Sequence, residues 1–589
     1  MLNKINKLAN WQSILVITFV GVAVFAVGLT NGFQGDDSLQ IVNNVPVHSL
    51  ANIRTFFEGG TFYDGSNTKL SGIYYRPMMT TVFSVIYTLF GPHAFCYHLV
   101  QLLICISSAV VLYLFFRFSF KPLLALFLAL LLLVHPIDSE AVYSIPCMQD
   151  ALFFLFGILG MYILFKYKSI KSLVLVALCF LLSLLSKETG ILFVAMSLVY
   201  VFWFNRRRLY SYVIILIVPI MLWLILKIHF NGLDPRPAVA PIDQLNLGER
   251  LLTAPSIVLL YITKLVFPIK LSSSYYWVYP RYSVSHTLLP LLADAAVLLL
   301  FVYLGFIIHA RATKSQFSVY LFFAIWAAAG FLLVLQIVPL DMTASETWLY
   351  FSMVGILGMI GIAVVTLMPE SHLYSPKILM TMLVIVLLLC FRSALRGPDW
   401  KNEYTLGMRD LAASSDDYNA DYQIAVYYYN HGDYRLAKGY AERSVALYPN
   451  ALNEAMLGAN LGDLGQFGQS QAVLAIAQKY NPNYYIIYDD LAGLTLYTGK
   501  QLNNERLLIS LDNKLPNDST VWFYTALLAQ RYGYNTGAQN AITQAAEHGQ
   551  VQQAAYQDIM NNQTFYYRFG NNPPIAIPAA PNTLLPSSL

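Results

Sequence analysis

Two adjacent carboxylates, Asp36 and Asp37, follow directly on an apolar run in "ILVITFVGVAVFAVGLTNGFQGDDSLQIVNN". A carboxylate near hydrocarbon costs free energy, and two together repel, so their placement asks for a reason. Other ionisable residues recur at the ends of later apolar runs. They are Arg76 in "YYRPM", His98, His135 with Asp138 and Glu140 in "HPIDSEAV", Asp150, Lys187 with Glu188 in "SKETG", and Glu346 in "ASETWLY". Carboxylates can serve as general bases, and cations can hold a phosphate. A phosphate-bearing lipid ligand in a membrane groove would need both. The same His, Glu and Asp types could ligate a divalent cation, although no spacing such as HExxH points to one.

The elements that position these residues are set by composition. Of the 589 residues, 57% are hydrophobic and 12% charged, against about 25% charged in an average soluble domain. Mean hydropathy is +0.54. The net charge of +4 gives no reason to invoke nucleic acid, and the five cysteines show no CxxC spacing. Apolar runs of roughly 17–25 residues, long enough to span a bilayer, recur through the first two thirds. Basic loops mark the inner face: "MLNKINK", "FRFSFK", "KYKSIKS", "NRRRL", "HARATK" and "SPK". With these inside, crossings are predicted at 12–30, 94–116, 122–135, 148–165, 170–185, 189–204, 210–228, 288–309, 316–338, 348–367 and 377–395. The first crossing puts Asp36 and Asp37 outside, and the odd total puts the C-terminus outside as well. Runs 77–91 and 251–268 cannot cross without inverting every later basic loop, so they read as embedded or interfacial parts of outer loops. The ionisable residues listed above then come from separate outer regions that can converge on one cavity. Each also has a plainer reading. The Asp pair can end a helix at the water boundary, "SKETG" can be a solvated turn, and "HPID" a helix stop with His135 as cap. "SSSYYWVYPRYS" can be an aromatic interface belt.

After residue 396 the apolar runs stop and a period emerges. Gly432, Gly465, Gly499 and Gly533 are spaced 33, 34 and 34, and Pro449, Pro482 and Pro516 are spaced 33 and 34. Two punctuation marks sharing one period predict tetratricopeptide-type helix–turn–helix repeats, a stacked array with an extended binding surface. The organisation expected is all-α: a membrane domain over 1–395, a linker over 396–416, repeats over 417–550, and an irregular Pro-rich tail over 551–589.

The order of motifs carries a resemblance. "GDDSLQIVNN", "YYRPMMTTVFSVIYTLFG", "HPIDSEAV", "SKETGI", "SETWLYFSMVG" and "RGPDWKNEYTL" precede the repeats. Over roughly 30–550 this resembles the transmembrane and tetratricopeptide repeat-containing O-mannosyltransferase family and its bacterial relatives. The resemblance implies a GT-C glycosyltransferase membrane domain. Such enzymes move a sugar from a polyprenyl phosphate to a hydroxyl with inversion. It implies Asp36 as general base and Asp37 as the group positioning the base or acceptor. It implies Arg76 and Lys187 for the lipid phosphate, with His135, Glu140, Glu188 and Glu346 in the donor-binding set. The repeats would then present a protein acceptor, or a glycan. Three positions depart from the pattern: Met148 and Thr347 stand where the relatives carry Arg, and Asp138 replaces a His. Arg236, Lys264, Lys270 or Arg281 are possible substitutes. The short array and compact loops favour a bacterial plasma membrane over an ER membrane. Two other functions stay open: a non-catalytic membrane scaffold built around the repeats, which the lost arginines favour, and a transporter. A transporter should show inverted repeats and broken mid-membrane helices, and neither is visible.

Overall fold

The computed structural model describes residues 9–63, 74–231, 240–482, 484–498, 519–548, 551, 553–569 and 572–578. Their regular secondary structure is helical, apart from one two-stranded ribbon and one isolated bridge. The chain divides into two compact units, the first comprising residues up to Thr61 and from 72 to Asp417, the second comprising Phe62–Ser71 and the chain from Tyr418 on.

Among the described residues of the first unit eight helices are long and apolar enough to cross a membrane, and a ninth is if the bent pair Pro122–Val134 and Pro136–Tyr143 counts as one. Ile170–Ser186 and Glu188–Phe204, both expected as crossings, are apolar but shorter, as is Pro77–Phe90. The span Glu346–Leu367 is 78% buried, and Ile145–Lys166 is 67% buried, so both are enclosed. By contrast, Val284–Arg311 is only 6% buried and Pro376–Lys401 only 11%. Helices that are apolar all round yet largely uncovered need an apolar medium. This is an integral, multi-pass membrane protein. The enclosed spans pack tightly: a Cβ on Gly355 would come within 2.3 Å of the Ala327 backbone nitrogen, so Lys314–Val334 and Tyr350–Leu367 touch backbone to backbone.

Polar side chains tie the helix ends together. Pro136 has no N–H to continue the helix, and the chain bends there by 49°. His135 accepts a hydrogen bond from the Ile137 N–H (3.2 Å) and its other ring nitrogen bonds the Leu265 carbonyl (3.0 Å). The stretch 396–416, expected as a linker, is instead part of the first unit. It forms a turn over Gly397–Lys401 and a helix over Glu403–Ala413, capped by the Asn402 side chain on the Thr405 N–H. Its polar surface hid the reason for this: Trp400 is 1% exposed and stacks on Tyr143 at 5.5 Å.

The second unit is a series of antiparallel helix pairs. The first helices are Tyr418–Asn430, Ala451–Asp463, Tyr485–Thr498 and Ser519–Arg531. The second helices described are Tyr434–Leu447, Phe467–Tyr480 and Asn535–His548. Gly432, Gly465 and Gly533 end first helices with φ of 76°, 75° and 80°, a left-handed conformation that favours glycine. Gly499 and Pro516 lie outside the described residues. The tail, expected to be irregular, is ordered where it is described. Gln553–Met560 is a helix, and β1 (Phe565–Tyr567) pairs antiparallel with β2 (Ile575–Ile577). The reading from proline content missed the alternating "FYYRF", whose residues 567 and 569 are buried while 566 and 568 are exposed.

Candidate active site

The segment after the first helix is held at fixed points. The Asn31 amide donates to the Gly397 carbonyl (3.0 Å), and the Gly35 N–H donates to Glu403 (3.3 Å). Apolar packing beneath it comes from Ile41, Val47, Phe83, Tyr97 and Met148. The two carboxylates then separate in role. Asp37 is 1% exposed and accepts the Gln34 N–H at 2.9 Å. Burial holds its pKa well above the usual carboxylate range; the Gln34 bond opposes this, and Asp36 and Glu403 add to it. Asp36 keeps a solvent-reachable side chain. Protein still surrounds it closely enough that desolvation, with the nearby Asp341, pushes it up to about 6. A carboxylate that is reachable by solvent yet desolvated behaves as one on the wall of an open cavity.

A chain of contacts runs on from Asp341. The Tyr74 hydroxyl donates to Asp341 at 2.5 Å, and the Arg76 guanidinium lies 3.9 Å from the centre of the Tyr74 ring. Arg76 pairs with Glu188 (3.3 Å) and donates to Gln149. Lys187 pairs with Asp150 at 2.6 Å, both buried. Arg76, Lys187 and Glu188 are thus brought together around the start of the helix Met148–Lys166.

Glu346 belongs to a second, deeper cluster. It accepts bonds from the Ser272 N–H (2.8 Å), the Tyr275 hydroxyl (3.2 Å) and Arg396 (2.9 Å). Arg396 and Glu346 are both 2% exposed in their side chains, and the guanidinium lies 4.6 Å from the Trp400 ring centre. Glu140 lies in the field of Glu346 and Arg396, and Asp138 in that of Glu346. Both Asp138 oxygens are buried and unpartnered, as is Glu140 Oε2. His135 has both ring nitrogens engaged with backbone.

The departures acquire physical content. Met148 is fully buried in the apolar cluster under the Asp36 loop, a place where an arginine side chain would lie unpaired. Thr347 is buried, and its hydroxyl is within 3.1 Å of Ser345 Oγ. The cation beside Glu346 arrives from Arg396, which sequence reading passed over although it opens "RGPDW". Asp341 and Tyr74 were also missed; Tyr74 lies two residues before Arg76 and Asp341 five before Glu346, and only folding brings them together. Of the suggested substitutes, Lys264 donates to the Lys270 carbonyl, Lys270 and Arg281 are exposed, and Arg236 lies outside the described residues. Among the described residues no group of three or more His, Cys, Asp or Glu could hold a metal ion.

The fold and this polar end define a multi-pass, all-helical membrane protein. Residues 76–231 match the family described as dolichyl-phosphate-mannose-protein mannosyltransferase. Protein O-mannosyl-transferase TMTC2 of Mus musculus is 32% identical over 212 residues, covering 33% of this chain and 24% of the relative. TMTC3 of the same species is 27% identical over 197 residues, covering 32% of this chain and 21% of the relative. In sequence, part of the membrane region is similar to protein O-mannosyltransferases, and the chain spans about a quarter of the length of these curated relatives. ArnT from Cupriavidus metallidurans, solved with undecaprenyl phosphate, aligns with a TM-score of 0.40 and 15% identity over 78% of this chain and 79% of its own. An Archaeoglobus fulgidus oligosaccharyltransferase aligns with a TM-score of 0.38 and 12% identity over 70% of this chain and 59% of its own. Those overlaps are too loose to transfer chemistry.

Proposed function

We propose that the chain is a GT-C-type glycosyltransferase that moves a hexose from a polyprenyl phosphate to a hydroxyl, with Asp36 as base. The acceptor favoured is a protein Ser or Thr hydroxyl. The observation that carries this reading is the pairing of a reachable, desolvated Asp36 with a buried Asp37 that holds its loop. Asp36 would take the proton as the acceptor oxygen attacks the anomeric carbon. The carbon–phosphate oxygen bond breaks with its electron pair leaving on the lipid phosphate, so the configuration inverts. Arg76 and Lys187 would face that phosphate, and the O-mannosyltransferase relatives support the reaction class. Asp36 and the helix pairs would lie on the non-cytoplasmic side, and the helix pairs would act as tetratricopeptide repeats that recruit the acceptor.

A non-catalytic scaffold has one observation in its favour: Arg76 and Lys187 are already neutralised by Glu188 and Asp150. Transfer of radiolabelled sugar in membranes supplied with polyprenyl-phosphate mannose or glucose separates the two. Wild type should incorporate label, Asp36→Asn should lose it, and Asp37→Asn, whose amide oxygen can still accept the Gln34 N–H, should retain most of it. Equal label in all three, or none with either donor, moves the assignment to the scaffold.

A further inference from the structure

The second unit carries a feature that sugar transfer does not use. Its first helices lie side by side, and the ribbon β1–β2 lies across three of them in succession. On Ala451–Asp463, the Gly462 carbonyl accepts from the Asn572 amide at 3.0 Å. On Tyr485–Thr498, the Tyr497 hydroxyl donates to the Pro573 carbonyl at 2.9 Å. On Ser519–Arg531, the Gln530 amide donates to the Gln563 carbonyl at 2.5 Å, and Tyr524 meets Tyr567 edge-on at 6.3 Å.

The helices are shaped to receive this segment. A Cβ on Gly462 would meet the Phe569 ring at 2.7 Å. A Cβ on Gly493 would meet the Tyr567 hydroxyl at 2.7 Å and Phe569 at 2.8 Å. Glycine costs helix stability, and at these two positions it makes room for the aromatic side chains of the tail. Tyr567, Phe569 and Ile577 are buried at 7%, 8% and 0% exposure, while Tyr566 before them is 67% exposed and Arg568, between Tyr567 and Phe569, is exposed. This alternation is how an extended peptide presents every second side chain to a surface. Beneath Tyr567 the groove is acidic. Its phenol lies in the field of Asp490, Asp463 and Asp489, and burial beside Asp463 pushes Asp490 up to about 8.

A capping role does not account for this. An array needs a cover over its last pair, and Gln553–Met560 follows Asn535–His548 directly and contacts it. A cap would not reach back to Gly462, two first helices earlier. We infer that the face lined by the first helices is a peptide-binding groove whose resident ligand is the chain's own stretches Phe565–Phe569 and Asn572–Ile577, so that an outside peptide enters only by displacing them. The recognition feature is the pair of aromatic residues two positions apart, Tyr567 and Phe569. This goes beyond the transfer reaction and stands or falls separately from it.

The test uses two forms of the full membrane protein in detergent: one ending at Asn561, and one carrying Tyr567→Ala with Phe569→Ala in the intact chain. The probe is a fluorescent peptide of residues 562–578, followed by anisotropy. Both altered proteins should bind it saturably, at least tenfold more tightly than the unaltered chain, whose groove is filled. A peptide with both aromatics replaced by alanine should bind at least tenfold more weakly. Equal binding by all three proteins, or no binding by altered proteins that melt like the unaltered one, overturns the inference. Unfolding of the second unit in both altered forms also overturns it, because the segment would then be part of the core and not a ligand.

Discussion

Asp36 and Asp37 are neighbours in sequence with opposite environments, and the difference sets what each can do. A base must be ionised and reachable. Asp36 is reachable, and desolvation with the Asp341 charge raises its pKa to about 6. Only the ionised form accepts a proton, so transfer should rise with pH and level off above about 6. Asp36→Asn should lower the plateau by roughly 10²–10⁴-fold, the usual contribution of a general base. A rate that falls as pH rises through this window would rule Asp36 out. The stability sign runs the other way. Because the folded pKa lies above the unfolded 3.8, the proton on Asp36 favours the fold below that value, and this is lost as pH rises through about 6. The deeper pair, Arg396 and Glu346, is a matter of stability. Removing one partner of a buried ion pair costs about 3–5 kcal/mol, because the other charge is left unpaired. Arg396→Met and Glu346→Gln should each lower the thermal midpoint in detergent by more than the double variant implies, with a clear coupling in the cycle. Additive effects would mean that the 2.9 Å contact is energetically idle.

At the scale of elements, the long apolar helices of the first unit were legible because hydropathy reports directly on them. The repeat period was legible because glycine and proline punctuate it. Two segments were not. The stretch 396–416 is polar and lies beyond the last apolar run, so composition separates it from the membrane unit. Its anchoring depends on single contacts whose partners are distant in sequence: Trp400 stacks on Tyr143, and the Gly397 carbonyl accepts from Asn31. The tail's prolines concealed a five-residue alternation that only the facing glycines make meaningful. The correction at 396–416 can be measured. Trp400→Ala removes a side chain that is 1% exposed and should cost about 3–5 kcal/mol, the usual cost of truncating a buried aromatic. The thermal midpoint of the membrane unit should fall accordingly. An unchanged midpoint would return this stretch to the status of a tether. The same substitution should reduce transfer as well, since the turn carrying Trp400 also holds Asn31, five residues before the proposed base.

For the whole molecule, the proposed reaction requires one condition that local geometry does not supply: the base and the acceptor-recruiting repeats must face the same compartment. Sidedness depends on crossing parity. Eight helices have the length to cross, the bent pair adds one, and the shorter helices Ile170–Ser186 and Glu188–Phe204 decide the rest. If both short helices cross, the basic loops "KYKSIKS" and "NRRRL" share the inner face, as the distribution of Lys and Arg demands. If only one crosses, those two loops fall on opposite faces and every later loop inverts, which sends the repeats to the side away from Asp36. Single cysteines in a cysteine-free background, probed with an impermeant maleimide on sealed vesicles, discriminate the cases. Asn43→Cys, beside the Asp pair, and Arg435→Cys, on an exposed position of the repeats, should label from the same face. Lys168→Cys and Arg207→Cys should label only after the vesicles are opened from the other side. Labelling of Arg435→Cys together with Lys168→Cys would separate the repeats from the base by a membrane. Acceptor recruitment by the repeats would then be impossible whatever the membrane unit catalyses.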